Sequence, residues 1–159
     1  MAPEEPTKPP YLSLLNSISI AERNAGRYLW VWAETTPDPE LARVVGLVAA
    51  RETTHGEVFR QRIERLGFAL RDREDDAAVT ERLRVYGDPK LSDADKIRAF
   101  RRTPEAEAAV DEFFASIDAQ VADESVDALT RDTLRWYVHE ERDSRALLRA
   151  AYARVEAPR

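Results

Sequence analysis

Glutamates interrupt the apolar stripes of four predicted helices, where a stripe is the set of apolar residues that share one helix face. Glu22, Glu52 and Glu141 each lie among apolar residues spaced mostly by three and four. Glu107 lies in a similar run of the third predicted helix. A buried, unpaired carboxylate costs several kcal/mol, whereas a domain is stable by only about 5–15 kcal/mol. Such carboxylates need a compensating cation, or some must stay protonated, and the pattern therefore indicates a metal site.

A histidine accompanies one of these glutamates. His55 follows Glu52 by three residues on the same stripe. Residues three apart share a helix face, so this carboxylate and this imidazole can bind one metal ion. Carboxylates that bridge cations, with an imidazole as a terminal ligand, suit iron or manganese. A Glu-x-x-His pair is weak evidence by itself, and it gains weight from the position of the other glutamates.

Turn and capping residues divide the chain into two predicted helical hairpins. The four predicted helices span about residues 11–36, 39–66, 92–121 and 127–156. Asp38, Ser92 and Asp127 are suited to cap the starts of the last three helices. Gly67 is typical of a helix end, and Pro104 is expected to kink or divide the third helix.

The segment between the hairpins, Phe68–Leu91, is charged and irregular, with a possible short helix over Ala77–Tyr86. It is long enough to run the length of a helical bundle. The prediction is an all-α fold, in which residues 11–157 form one antiparallel bundle of four helices with a long crossover. Residues 1–10 are predicted to be a flexible tail.

The glutamates lie at matching distances from the predicted hairpin turns. Glu22 and Glu107 lie fourteen residues before the ends of their helices, and Glu52 and Glu141 lie fourteen residues after their caps. At the helical rise per residue, each is about 21 Å from its turn, so all four could converge. This spacing favours Glu107 on the third helix over Glu112, which lies on the opposite helix face, and over its neighbour at position 111.

The pattern resembles the ferritin-like superfamily of rubrerythrins, ferritins and related di-iron carboxylate proteins, over nearly the whole chain. These proteins place a Glu on the first helix, Glu-x-x-His on the second, a Glu on the third and often Glu-x-x-His on the fourth. The resemblance implies that Glu22 and Glu107 are terminal ligands or partners. It further implies that Glu52 and Glu141 bridge two metal ions and that His55 binds one of them.

The fourth helix departs from the family pattern. Aligning Glu141 with Glu52 puts Ser144 where a second histidine would stand. The expected content is therefore two metal ions or one, the second being more weakly held. The alternative register, Glu140 to Asp143, leaves the apolar stripe.

The resemblance implies redox chemistry with oxygen or peroxide, as a ferroxidase, peroxidase or oxidase, and leaves open whether the chain is an enzyme. With no cysteine, the chain cannot build the rubredoxin-like electron-transfer domain of a full rubrerythrin, so an external electron donor is expected. One alternative is a metal-free ferritin-like bundle that acts in assembly or interaction. Another is an unrelated helical adaptor with the glutamates on its surface.

Composition narrows the expected partners and location. A net charge of −6 disfavours nucleic-acid binding, which depends on neutralising phosphates, and no apolar run is long enough to span a membrane. The proline-rich start lacks the features of a signal peptide, and together with the lack of cysteine it suggests the cytoplasm. Apolar residues off the main stripe of the first helix, Ile20, Trp30 and Val31, suggest a subunit interface and thus a homo-oligomer.

Overall fold

The computed structural model describes residues 7–72 and 77–158, and within these ranges the regular secondary structure is entirely helical. The helices are α1 (Leu12–Thr35), α2 (Pro39–Arg65), α3 (Ala77–Tyr86), α4 (Asp93–Ala99), α5 (Pro104–Ala122) and α6 (Ala128–Glu156). The predicted all-α class is confirmed. Of the predicted flexible tail, residues 1–6 lie outside the described residues. No described helix is both long and apolar enough to cross a membrane.

Local capping sets the starts of four helices. The side chains of Asp38, Ser92, Thr103 and Asp127 each accept a hydrogen bond from a backbone N–H in the first turn that follows. Each such cap stabilises a helix by about 1 kcal/mol. Gly67 follows α2 with a φ of 87°, a left-handed conformation that favours glycine.

The third predicted helix is divided into α4 and α5. Pro104 is the first residue of α5, where a missing N–H costs nothing because the first helical N–H groups have no acceptor within the helix. Thr103 caps this second helix. The short helix predicted in the crossover is α3, with the expected bounds.

Two glycines allow α1 and α2 to approach closely. A Cβ on Gly26 would collide with the Thr53 hydroxyl, and one on Gly56 would lie 2.9 Å from the backbone nitrogen of Arg23. At the same level the Ser19 hydroxyl donates a hydrogen bond of 2.7 Å to the carbonyl of Gly56. The close approach brings the middle of α1 against the middle of α2, where the predicted ligands lie. Further along, α2 and α5 each pack against α6, and α3 packs against α1.

The buried apolar side chains form two clusters. The first apolar cluster contains Tyr11, Leu15, Ile18, Phe59, Ile63, Phe114, Ile117, Val126, Leu134, Tyr137 and Val138. The second apolar cluster contains Leu29, Trp32, Leu41, Val44, Val45, Val48, Ala49, Tyr86, Ile97 and Ala151. Along each of α1, α2 and α6 a stripe glutamate, Glu22, Glu52 or Glu141, lies between the residues of the two clusters. These glutamates therefore form a polar layer inside the core.

Candidate metal centre

Four potential metal ligands converge in this polar layer. Glu22 comes from α1, Glu52 and His55 from successive turns of α2, and Glu141 from α6. Each offers a ligand atom, and these atoms all lie within 4.8 Å of one another. The residues are 6%, 5%, 0% and 9% exposed, in the same order. The structure thus brings together four of the five residues that the stripes single out, and they could hold a metal ion.

The imidazole of His55 links the carboxylates. Its Nδ1 lies 3.4 Å from Oε2 of Glu22 and 3.4 Å from Oε1 of Glu141. Its Nε2 lies 2.9 Å from Oε2 of Glu140 on the other side of the ring. The Tyr137 hydroxyl donates a hydrogen bond of 2.8 Å to Oε1 of Glu22. The ring therefore presents Nδ1 to the cluster while Glu140 holds Nε2.

Aromatic side chains fix the orientation of this ring. Trp136 and Tyr137 both meet His55 edge to face, with ring centroids 4.9 and 5.2 Å from that of the imidazole. Such pairs contribute about 0.5–1.5 kcal/mol beyond the apolar area that they bury. Because His55 is held by packing on two sides and by carboxylates at both nitrogens, little reorganisation is needed before its Nδ1 can bind a cation.

Burial and neighbouring charge favour a proton on Glu52. Burial first, and then the carboxyl groups of Glu22 and Glu141, raise the pKa of Glu52 to about 12. Glu52 therefore stays neutral at pH 7. Burial also opposes ionisation of Glu22, but hydrogen bonds from His55, Glu52 and Tyr137 outweigh it and lower the pKa of Glu22.

His55 carries the second proton of the cluster. Burial alone would lower its pKa, but interactions with the carboxylates of Glu141, Glu22 and Glu140 outweigh burial and raise the pKa of His55 to about 10. At neutral pH the imidazole is therefore positively charged. Without a metal ion, protons on Glu52 and His55 offset the negative charge that the cluster would otherwise concentrate in the core.

One oxygen of the cluster is left unsatisfied. Oε1 of Glu141 is buried, and the described residues give it no hydrogen-bond partner. It lies 3.4 Å from Nδ1 of His55, which is close enough for charge attraction, although the two do not form a hydrogen bond. Buried acceptors without a donor are rare in proteins. A cation at the cluster would satisfy this oxygen, so the residues fit a metal ion.

The donor set consists of three carboxylates and one imidazole, and the sequence supplies no thiolate. These ligands can hold a divalent metal ion. Glu140 completes the arrangement, because a carboxylate that holds the far nitrogen of a ligating histidine fixes its tautomer. Sequence analysis set Glu140 aside as a ligand because its position leaves the apolar stripe, and it did not predict the contact of Glu140 with His55. The sequence signal for this role was the pair of adjacent glutamates at positions 140 and 141. Glu141 points to the cluster, and Glu140 contacts Nε2 of His55.

The predicted third-helix ligand does not reach the cluster. Glu107 lies 3.2 Å from Arg145 and 3.7 Å from Arg102, with 44% of its side chain exposed. The reason is the packing of α5, which contributes only Phe114 and Ile117 to its buried residues. Its first turns, which carry Glu107, stand clear of the core. The alternative at position 112 is also exposed.

The position of the missing second histidine faces an arginine. Ser144 is buried, one turn after Glu141, and its hydroxyl oxygen accepts a hydrogen bond of 3.3 Å from Arg51. The same guanidinium nitrogen lies 2.6 Å from Oδ2 of Asp143. A fixed positive charge beside Ser144 disfavours a second cation there, because like charges repel.

The arrangement can bind a cation and hold it by carboxylates. Comparison of the chain with models of protein families, with curated proteins and with solved structures gave no match. The functional argument therefore rests on the side chains of Glu22, Glu52, His55 and Glu141 and on their surroundings.

Proposed function

We propose that this chain is a ferritin-like metalloprotein whose α1, α2, α5 and α6 form an antiparallel four-helix bundle around an iron or manganese site. The proposed activity is redox chemistry with oxygen or peroxide. One observation carries the proposal: four buried potential ligands from three helices meet within 4.8 Å. The unsatisfied oxygen of Glu141 supports it.

The proposed ligands are Glu22, Glu52, Glu141 and Nδ1 of His55. Bound iron would supply a change of oxidation state and an open position for oxygen or peroxide. The protein's own side chains would orient the ligands and hold the protons. Glu140 would hold the proton on Nε2 of His55, and the hydroxyl of Tyr137 would keep Glu22 oriented through its hydrogen bond of 2.8 Å.

We propose one tightly held ion per chain. The resemblance to di-iron proteins implies two, but Glu107 is engaged with Arg145 and the Ser144 position is engaged with Arg51. A second ion would lack both a fourth carboxylate and a second imidazole. Reducing equivalents would come from an external donor, and the exposed Trp30 supports the further proposal of a homo-oligomer.

A metal-free bundle that acts in assembly or interaction is the second candidate. Its support is the balance of charge in the cluster, where protons on Glu52 and His55 offset the carboxylates without any cation. Under this candidate the polar layer would have a structural role only. Metal content separates the two candidates directly.

The first test is metal analysis of protein that is purified without chelator and then reconstituted anaerobically with ferrous iron. We expect about one iron per chain in the natural sequence. Glu141→Gln removes a proposed ligand and should abolish binding, whereas Glu112→Gln, at an exposed position on α5, should not change it. Consumption of oxygen and of peroxide by the iron-loaded protein, with an external reductant, then tests the reaction. A folded protein that takes up no iron would leave the assembly role.

A further inference from the structure

A cavity of about 520 Å³ borders the proposed metal site. Glu52 and Glu141 form part of its wall, and the rest comes from residues of all six helices and of the connection before α5. A cavity of this size is typical of sites for small organic molecules. Neither the ligand cluster nor the packing of the bundle requires this space.

Aromatic rings form much of the cavity wall. Tyr28 stacks on Tyr86 with ring centroids 5.6 Å apart, and Phe100 lies 4.9 Å from Tyr86. Tyr152 lines the same space, and behind it the buried Trp32 stacks at 5.6 Å. Rigid rings offer a flat apolar surface at a low cost in side-chain entropy. This wall fits a planar, apolar body.

Among the described residues, five arginines also line the cavity, and two of them, Arg82 and Arg102, lie beside its aromatic rings. Arg82 lies 4.6 Å above the ring centroid of Phe100 and 5.4 Å from that of Tyr28. Over residues 7–72 and 77–158, no carboxylate forms an ion pair with it. Arg102 has Glu107 at 3.7 Å, which is beyond hydrogen-bonding distance. Arginine offers paired N–H donors that match a carboxylate, so both groups can accept an anion.

Two of the other cavity arginines already form close ion pairs, whereas Arg149 forms none with a carboxylate among the described residues. Arg101 pairs with Glu156, and Arg145 pairs with Glu107 at 3.2 Å. Of the cavity arginines without a close ion pair, Arg82 is the one held over the aromatic wall. The site thus combines a stacked apolar wall with a positive charge at one place and the acidic metal ligands at another.

We propose that this cavity binds a small aromatic carboxylate. Its carboxylate lies against Arg82 and Arg102, and its ring stacks among the tyrosines. The guanidinium groups set its direction, so the uncharged end points toward Glu52 and Glu141. This inference rests on the proposed function in one respect, which is that the bound acid is then the substrate of the metal site.

The probe is 2-naphthoate, titrated into the full-length protein by isothermal calorimetry, with metal content measured on the same sample. We expect saturable binding with one site per chain. The uncharged analogue 2-naphthylmethanol and the ring-free anion acetate should each bind at least about tenfold more weakly, since each loses one of the two interactions.

Substitution tests the two arginines. The double variant Arg82→Gln and Arg102→Gln should weaken 2-naphthoate about 10- to 100-fold, the range for loss of charge-assisted hydrogen bonds. It should leave binding of 2-naphthylmethanol unchanged. The matched control is Arg84→Gln, at an exposed residue of α3 that pairs with Glu81 and does not line the cavity. Its affinity for 2-naphthoate should stay within about twofold of the natural protein.

The outcomes separate this inference from the proposed function. Metal uptake without any binding of 2-naphthoate would overturn the cavity assignment and leave the metal site standing. Binding of 2-naphthoate by a folded protein that takes up no metal would overturn the metal site, and with it the role of the acid as substrate. Equal affinity in the double variant and in Arg84→Gln would overturn the assignment of Arg82 and Arg102 as the anion site.

Discussion

Replacing Glu52 by glutamine should stabilise the metal-free protein. In the folded chain the pKa of Glu52 is raised to about 12, by burial and by the neighbouring carboxyl groups of Glu22 and Glu141, from its ordinary value of 4.5. At pH 7 the unfolded chain carries this group ionised, so folding must add a proton to it. Each pH unit above 4.5 raises the free-energy cost of adding that proton by about 1.36 kcal/mol. The 2.5 units up to pH 7 amount to about 3.4 kcal/mol.

The stability difference between Glu52→Gln and the natural protein depends on pH. Glu52 has a folded pKa above its unfolded value, so the stability that its proton contributes is full below pH 4.5 and falls as pH rises toward 12. Glutamine does not titrate and has nearly the same shape. The advantage of Glu52→Gln should therefore be near zero at pH 4.5 and grow by about 1.36 kcal/mol per pH unit.

The assay is urea denaturation followed by far-UV circular dichroism, in chelator, at several pH values between 5 and 8. Glu112→Gln, at an exposed position, is the control and should show a difference that does not vary with pH. A Glu52→Gln protein that is less stable than the natural one throughout, or whose advantage does not grow with pH, would refute the reasoning. It would mean that the folded protein holds Glu52 as a carboxylate.

The same variant should reverse its rank when metal is added. Ferrous or manganous ion at about 1,000 times its dissociation constant stabilises a protein by about 4.1 kcal/mol, which exceeds the advantage of about 3.4 kcal/mol that Glu52→Gln has at pH 7 without metal. The natural protein should gain this stability, while Glu52→Gln should gain none because an amide is a poor ligand for these ions. Stabilisation of both proteins by the same amount would place the ion elsewhere.

Three further results are expected. Metal binding should release about two protons at pH 7, one each from Glu52 and His55. Calorimetry in buffers of different ionisation enthalpy measures the number of protons released. Release of none would contradict the raised pKa values of these two groups. Gly56→Ala should destabilise the protein by about 1–3 kcal/mol, because its Cβ would meet the α1 backbone at 2.9 Å. Thermal unfolding should set it apart from Gly46→Ala, whose Cβ has its nearest neighbour at 3.7 Å. Glu140→Gln should weaken metal binding about 10- to 100-fold and lower the pKa of His55, measured by NMR titration; an unchanged pKa would show that Glu140 does not hold Nε2.

The helices could be predicted from the sequence because their ends are encoded locally. Asp38, Ser92 and Asp127 act through hydrogen bonds to N–H groups two or three residues away, and Gly67 acts through its own φ angle. The division at Pro104 has the same origin, since a proline can begin a helix but not continue one. None of these signals requires knowledge of the tertiary structure.

The site was only partly predictable. Helical periodicity finds which residues share a face, and this was enough for Glu22, Glu52 and Glu141. It does not show which turns of a helix are buried by its neighbours, and this is why Glu107 was expected in a cluster that it does not reach. Nor does it describe side-chain reach, by which Glu140 contacts His55 from outside the stripe.

The polar layer between the two apolar clusters has a consequence for cooperativity. Each apolar cluster is buried by its own side chains. The two clusters meet at the polar layer, whose carboxyl and imidazole groups gain little from contact with apolar side chains. Without a cation the polar layer contributes little stability. We therefore expect the two apolar clusters to unfold locally as separate units, which hydrogen exchange can detect. A cation bound by α1, α2 and α6 would tie the ends together, so that amides far from it on both sides would exchange only by global unfolding. The exchange rates of the most protected amides in either apolar cluster would then report whether the site holds a cation.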